Sequence, residues 1–333
     1  MSDTVLTRIL GMPDVRHLLS VEAAIDLQRD AFLALGRGLT QAAPSAWLRL
    51  PGEQRGWLKL LAGWDGSSGG LGVKVLARFP KNPPGRNLGS LLLLFDDEDG
   101  TPLAIMDSVY ITAVRTAAGA AVATEALARP GATRSLGMVG TGALAWYAVL
   151  AHKARFPALE SVRVTSRSPV RREAFAQRVR EQLGIDANAV ATTAEATAGA
   201  EIVVTATNSP VPVVRREHLE PGQHVNAIGI RTELESDLLA ACRVIGDGRE
   251  ETLHDGKFAV ALEAGTVTAD DLGPDLGAVL DGTVGRRDDD EITLFDSSGV
   301  AIQDIVCAVH VWRAAEREGI GVLADLGARE VLE

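Results

Sequence analysis

Leu136-Gly137-Met138-Val139-Gly140-Thr141-Gly142-Ala143-Leu144-Ala145 is the stretch that decides how this 333-residue chain is read. A short apolar run leads into Gly140, Gly142 follows one residue later, and Ala145 completes a G-x-G-x-x-A pattern. The pattern alone is weak: 34 of the residues are glycine, and roughly one chance match is expected at such a frequency. Its surroundings give it meaning. The run before it reads as a strand, Leu144 to Arg155 reads as a helix, and Val162-Arg163-Val164 supplies a second strand about twenty residues on.

In that setting each small residue has a task. Gly140 makes the tight turn and Gly142 lets a pyrophosphate approach the backbone. Ala145 keeps the helix close to the sheet, and the free N–H groups at the helix start attract phosphate. Gly140, Thr141, Gly142, Ala143 and Leu144 are therefore expected to bind a dinucleotide; a glycine-rich turn without a ligand is the alternative.

Downstream the alternation continues. Arg171 to Leu183 is helical in pattern, and short apolar runs recur at Ile202-Val203-Val204, at His224 to Ile228, at Arg243-Val244-Ile245 and at Ile292 to Phe295. A βαβ series of this kind implies a doubly wound parallel sheet of Rossmann type, with helices on both faces.

Upstream the pattern differs. Val21 to Leu35 carries apolar residues at helical spacing, and strand-like runs follow at Trp57 to Leu61, Leu71 to Leu76, Leu91 to Phe95 and Pro102 to Met106. Asp97-Glu98-Asp99-Gly100 between the last two is a hairpin signal. Tyr110 to Ala128 is an Ala- and Thr-rich helix stopped by Pro130-Gly131, and Val300 to Glu318 is a last amphipathic helix that can fold back on the N-terminal sheet. The expected fold is α/β. A Rossmann NAD(P)-binding domain over residues 119–304 is accompanied by an α+β substrate and dimerisation domain, with an antiparallel sheet, over 1–118 and 305–333.

Composition bounds the function. Apolar residues make up 46% and charged residues 23%, ordinary for a globular chain. The net charge of -11 is spread along the sequence and argues against a nucleic-acid partner, which demands a basic surface. Cys242 and Cys307 are the two cysteines, far apart, so neither a disulfide framework nor a zinc spacing is present. No signal-peptide pattern opens the sequence, and Leu91 to Phe95 is too short to cross a bilayer. A soluble, cytoplasmic protein without a membrane partner is expected. The six histidines show no metal spacing, so no metal is expected; His310 reads as a packed or surface residue, and Asp288-Asp289-Asp290-Glu291 as a solvated turn.

The second strand of the βαβ unit ends in Thr165-Ser166-Arg167-Ser168. An NAD-binding chain usually puts a carboxylate there, to accept from the ribose hydroxyls. Here Ser166, Arg167 and Ser168 offer what a 2′-phosphate needs, which favours NADP(H) over NAD(H), though NAD(H) stays possible. Arg171 and Arg172 add positive charge or simply open a solvated helix.

Taken together, these features resemble the ornithine cyclodeaminase/mu-crystallin family. The resemblance is carried by Gly72-Val73-Lys74 with Phe79-Pro80-Lys81-Asn82, and by Met106-Asp107-Ser108 through Thr112-Ala113-Val114-Arg115-Thr116-Ala117-Ala118. It continues in Thr205-Ala206-Thr207, Asn226-Ala227-Ile228-Gly229 and Phe295-Asp296-Ser297-Ser298-Gly299-Val300-Ala301-Ile302-Gln303-Asp304. The resemblance implies a homodimer joined through its N-terminal sheets, a substrate cleft between the domains, and hydride exchange at a carbon that bears an amino or imino group beside a carboxylate. It also adds Thr205, Ala206, Thr207, Ile228 and Gly229 to the cofactor residues.

By the same resemblance Lys74 is the active-site lysine. In an otherwise apolar strand it can be desolvated, which eases proton exchange near neutrality; an edge-strand lysine that snorkels to water is the alternative. Arg115 matches the arginine that grips the substrate carboxylate, as a guanidinium does bidentately; a structural pair with Asp107 is the alternative. Arg49 is a candidate second clamp in uncertain register after Pro44. Asp304 is expected either to help seat the cofactor or to cap its helix.

Two departures from the family stand out. The loop Gly229-Ile230-Arg231-Thr232-Glu233-Leu234 is shorter than in the cyclodeaminases and lacks their Asp. Thr232 and Glu235 read as a capping box that starts a helix at once. No Arg stands directly after Pro44. The expected activity is therefore NADP(H)-dependent chemistry at the C–N bond of a 2-imino or 2-amino acid. The alternatives are an NAD-dependent ornithine cyclodeaminase and a non-catalytic NADPH-binding protein.

Overall fold

The structure, a computed structural model, describes residues 6–52, 55–83 and 85–326. In chain order its elements begin with β1 (Leu6–Leu10), α1 (Met12–Leu18), α2 (Val21–Gly36), β2 (Thr40–Ala42) and β3 (Ala46–Arg49). Next come β4 (Trp57–Asp65), β5 (Gly70–Arg78), β6 (Leu88–Asp96), β7 (Pro102–Asp107) and α3 (Val109–Leu127). The alternating half runs through β8 (Ser135–Val139), α4 (Ala143–Arg155), β9 (Ser161–Thr165), α5 (Pro169–Leu183), β10 (Asp186–Ala189), α6 (Thr193–Thr197) and β11 (Ile202–Thr205). It continues with β12 (His224–Ala227), α7 (Ser236–Ala240), β13 (Arg243–Gly246), α8 (Arg249–His254), α9 (Lys257–Glu263), α10 (Leu276–Leu280) and β14 (Thr293–Asp296). The chain ends its described part with α11 (Ala301–Glu318) and β15 (Val322–Asp325). Of the described residues, those up to Arg115 together with those from Val300 onward form one compact unit, and Thr116–Gly299 form the other.

The first unit is built on an eight-stranded sheet in the order β15-β1-β7-β6-β5-β4-β2, with β3 also paired to β4. The expected antiparallel meander is present in β4 through β7, while β1 joins β7 in parallel. Period-2 alternation sets its two faces. Leu61, Lys74, Leu92 and Met106 lie side by side across four strands and are buried, on the face covered by α11, against which α2 packs. On the opposite face Leu60, Val75 and Leu91 align, as do Ala62, Val73, Leu93 and Ile105. That face is only partly buried, and Leu91 is 51% exposed. Ser20 starts α2 by accepting from the Ala23 N–H at 3.0 Å, as an N-cap should.

The second unit is a seven-stranded sheet in the order β10-β9-β8-β11-β12-β14-β13. Every pair in it is parallel. Its first five positions follow the dinucleotide-binding order; β14 then inserts between β12 and β13, which local sequence signals did not foretell. A buried polar chain crosses this unit. The Asn226 amide donates to Thr124 Oγ1 at 2.8 Å, Thr124 Oγ1 meets His152 Nε2 at 2.9 Å, and His224 Nδ1 meets Thr293 Oγ1 at 2.9 Å. Burial holds His152 down at about 4 and His224 at about 3, so both are neutral packing partners at physiological pH.

The capping box expected at Thr232 and Glu235 does not form. Thr232 Oγ1 donates instead to the Ser209 carbonyl at 2.8 Å, and α7 begins after Glu235, which caps it without a side-chain bond. A tertiary acceptor outcompetes the local one. Asp288-Asp289-Asp290-Glu291 is a turn, with Asp288 Oδ1 accepting from the backbone N–H groups of Asp290 and Glu291.

Candidate active site

The turn Gly140-Thr141-Gly142 lies where β8 and β11 diverge, the switch point at which ligands bind such sheets. Gly140 holds φ +127, and a Cβ there would stand 2.5 Å from the Ala206 carbonyl oxygen, so only glycine fits. Gly142 is the N-cap of α4 and makes no side-chain cap bond, and nothing stands within 4 Å of where its Cβ would be. The start of the helix is thus left open at Gly142 and without a side-chain cap, and an uncapped helix start is where a phosphate can be received.

A cavity of about 750 Å³ opens there, lined by Gly140, Thr141 and Gly142, by Thr165 to Ser168, and by Ala206 and Thr207. Arg171, Ala191, Thr192 and Thr193 extend its wall, and Asn208, Ser209 and Val213 close the other end. The lining holds two arginines and no carboxylate. Arg167 is exposed and Ser168 caps α5, accepting from Arg171 N–H at 3.3 Å. Ser166 Oγ donates to the Ser168 carbonyl, and the Arg172 guanidinium donates to the Ser166 carbonyl at 3.2 Å, holding the turn in shape. Volume, glycine cradle, bare helix start and donor-rich wall together fit a nicotinamide dinucleotide.

Of the remaining cofactor candidates, Ala143, Leu144, Thr205, Ile228 and Gly229 are not part of that lining. Thr205 and Gly229 are instead tied to Glu233, which is fully buried. Its Oε1 accepts from Thr205 Oγ1 at 2.7 Å and from Gly229 N–H at 2.8 Å, and its Oε2 accepts from Thr207 N–H at 2.9 Å and Thr207 Oγ1 at 2.8 Å. A Cβ on Gly229 would lie 2.2 Å from Glu233 Oε2. Glu233 thus fastens the loops after β11 and β12 to each other.

The second group of candidates belongs to the first unit. Lys74 is on β5, an interior strand with Leu61 and Leu92 as its neighbours, and is 2% exposed. The edge-strand alternative is therefore wrong: interior pairing leaves the side chain no route to water. Its Nζ donates to Asp304 Oδ2 at 2.5 Å, and Asp304 Oδ1 accepts from Arg115 Nε at 3.2 Å. Burial lowers the Lys74 ammonium to about 8. The Asp304 charge works against that shift, while those of Arg115 and Lys59 add to it.

Arg115 does not pair with Asp107, which caps the start of α3 by accepting from Val109 N–H. Its Nη1 donates to Gln303 Oε1 at 2.8 Å. Asp304 is not the cap of α11, since Val300 holds that position; its role is to bridge Lys74 and Arg115. Gln303 was missed by sequence reading. Its Oε1 also accepts from Val300 N–H at 3.1 Å, while its Nε2 is buried without a partner. A guanidinium can only donate, so Oε1 must face Arg115 and Nε2 is left as an oriented donor. Arg49 stands exposed on β3, its guanidinium 4.6 Å above the Trp47 ring.

A model of the ornithine cyclodeaminase/mu-crystallin family matches residues 6–319. The chain belongs to that family. It is 32% identical over 325 residues to the alanine dehydrogenase of Archaeoglobus fulgidus, covering 95% of this chain and 97% of that protein. Among solved structures, it is similar to an archaeal alanine dehydrogenase dimer with bound NAD (TM-score 0.90, 30% identity, 96% of this chain and 99% of that one). It is also similar to the Thermococcus litoralis Δ1-pyrroline-2-carboxylate reductase in complex with NADH and L-proline (TM-score 0.90, 28% identity, 95% and 99%). Among the described residues, no group of three potential ligands is placed to hold a metal ion, and no helix is long and apolar enough to cross a membrane.

Proposed function

We propose that the protein is an NADP(H)-dependent oxidoreductase that interconverts a 2-imino acid and the corresponding 2-amino acid. The observation that carries this reading is the buried set Lys74, Asp304, Arg115 and Gln303, in a chain that also holds a dinucleotide cavity. When bound, the cofactor supplies or takes up a hydride at the carbon that bears the nitrogen. The chain's own residues do the rest. Nη2 of Arg115 and Nε2 of Gln303 hold the substrate carboxylate, and Arg49 serves as a further clamp. Lys74 gives a proton to the imine nitrogen as the C=N bond becomes C–N, or takes it back in the reverse direction. Asp304 keeps the Lys74 ammonium aimed and offsets the charge of Arg115.

Related structures contain NAD and NADH; the choice of NADP(H) rests on Arg167, Arg171, Ser166 and Ser168 in a wall without a carboxylate. The cyclodeaminase reading loses ground because Glu233, the acid nearest its missing Asp, spends both oxygens on backbone and threonine donors. The test is a panel of cyclic ketimines and of 2-oxo acids mixed with ammonia, run with NADPH and NADH side by side and with ornithine as a control. NADPH oxidation by an imine at higher kcat/KM than with NADH is expected, and Arg167→Ala should raise the KM for NADPH by roughly tenfold or more. Stoichiometric NADPH binding without oxidation across the panel would instead identify a binding protein, and proline with ammonia from ornithine a cyclodeaminase.

We also propose a homodimer through the uncovered sheet face around Leu60, Val75 and Leu91, on which the apolar rows described above converge. Such a patch calls for a partner. Leu91→Lys is expected to shift the protein from dimer to monomer in sedimentation velocity; a wild-type monomer at micromolar concentration refutes the dimer.

A further inference from the structure

Gln28 lies on the face of α2 that is otherwise built from Ala24, Ile25, Ala31 and Phe32, and it is fully buried. Glutamine is uncommon in such a stripe, because its amide must find partners away from water. Its Nε2 finds two on α11, against which α2 packs. It donates to the Gln303 carbonyl at 2.9 Å and approaches Cys307 Sγ at 3.5 Å. Both are acceptors, which turns the amide nitrogen toward α11 and the amide oxygen away. Among the described residues that oxygen, Oε1, has no partner. An unpaired buried amide oxygen is unfavourable, and the two contacts offset little of it. In a helix the Gln303 carbonyl already accepts from the N–H four residues on, and a thiol is a weak acceptor. An apolar side chain of similar length would pack there without that cost. Stability alone does not account for Gln28.

Its place does. Gln303 and Asp304 stand in the first turn of α11, whose N-cap, Val300, has no side chain able to cap it. Gln303 Oε1 takes the Val300 N–H instead, but shares that oxygen with Arg115. Gln28 adds a tie from α2 to the backbone of this same turn. One residue further on, Asp304 spans Lys74 at 2.5 Å and Arg115 at 3.2 Å. Charge-assisted bonds of such length tolerate little displacement of the helix that carries them.

We propose that Gln28 is a positioning residue, whose amide holds the first turn of α11 where Asp304 reaches both cations, and that it does so against stability. It acts through Gln303 and Asp304 rather than on substrate, and this role rests on the imine chemistry proposed above. Of the charged groups around Lys74, Arg115 on α3 and Lys59 on β4 lower its ammonium, and Asp304 raises it. Cys307 on α11 stays a neutral thiol, since burial pushes it up to about 12, and β6 presents Leu92. Releasing the turn therefore weakens the influence that retains the Lys74 proton. The limb at about 8 should move to lower pH.

Gln28→Leu and Gln28→Met supply apolar volume without the amide. Both should unfold at a denaturant concentration equal to or above that of the wild type, with an unchanged slope. With the best imine of the panel and saturating cofactor, each should lower kcat by about tenfold, and the pH limb should fall by about one unit. A change in stability alone would not move that limb. NMR titration of protein labelled with ¹³C at lysine Cε gives a readout independent of turnover. Lys74, assigned by the signal lost in Lys74→Met, should show the same fall of about one pH unit in both variants. An unmoved Lys74 midpoint overturns the proposal, whatever happens to kcat, while imine reduction stands. So does a loss of stability or of folding in both variants, since a residue that the fold requires is not kept for position alone. Failure of every imine with both cofactors overturns the function itself, and the NMR midpoint of Lys74 then still decides the role of Gln28.

Discussion

Asp304→Ala is expected to destabilise the protein by about 3–5 kcal/mol and to lower kcat/KM by about 10²–10⁴. Asp304 is fully buried and holds two buried cations, Lys74 at 2.5 Å and Arg115 at 3.2 Å. Taking an ammonium and a guanidinium out of water is unfavourable, and their shared carboxylate offsets much of that. Without it, both charges remain in a site too closed for solvent to replace the lost partner. Asp304→Asn should follow the same direction, since an amide keeps the volume but not the charge. Denaturant unfolding with an unchanged slope measures the first effect and steady-state kinetics the second. Lys74→Met should soften the loss: in that background Asp304→Ala removes the partner of only one cation, so the double-mutant cycle should show coupling. Additive losses, or a variant as stable as the wild type, would show that Asp304 does not neutralise this pair.

Lys74→Met should lower kcat for imine reduction by about 10²–10⁴, the range for removal of a positioned proton donor. It should also change the pH profile. The Lys74 ammonium is lowered to about 8, chiefly by burial. Reduction needs the protonated form, so kcat/KM should be level below about pH 8 and fall roughly tenfold per pH unit above it. Amine oxidation needs the neutral form and should show the opposite, rising to a plateau above pH 8. Methionine fills much the same volume and cannot titrate, so the limb near 8 should vanish in the variant. A limb that persists there would assign the titration, and the proton, to another group.

Much of the architecture could be read locally. The turn at Gly140 and the strand-helix alternation after it give the second unit its parallel sheet, because strand and helix periods and the glycine requirement are properties of neighbouring residues. The hairpin at Asp96 to Gly100 was equally legible: Asp96 N–H bonds the Thr101 carbonyl at 2.8 Å, and Gly100 takes φ +77. Lys74 and Arg115 were legible as candidates through their resemblance to a family, and Arg167 through the absence of a carboxylate at the end of β9.

The site itself was decided by tertiary structure. Lys74 and Asp304 are 230 residues apart, and nothing in either neighbourhood says that α11 carries the acid to the lysine. Whether Lys74 sits inside the sheet or at its edge depends on the pairing of β5 with both β4 and β6, and that pairing is what desolvates it. Gln303 Nε2 is left as an unpartnered buried donor only because Arg115 claims the amide oxygen. Thr232 reads as a cap, but its hydroxyl donates instead to the Ser209 carbonyl, 23 residues away. Sequence by itself determined the elements and the glycine turn that opens α4, since those depend on short-range sterics and period. Only the packed chain decided which charges are buried, which are paired and which face a ligand, since those energies depend on neighbours that the sequence holds far apart.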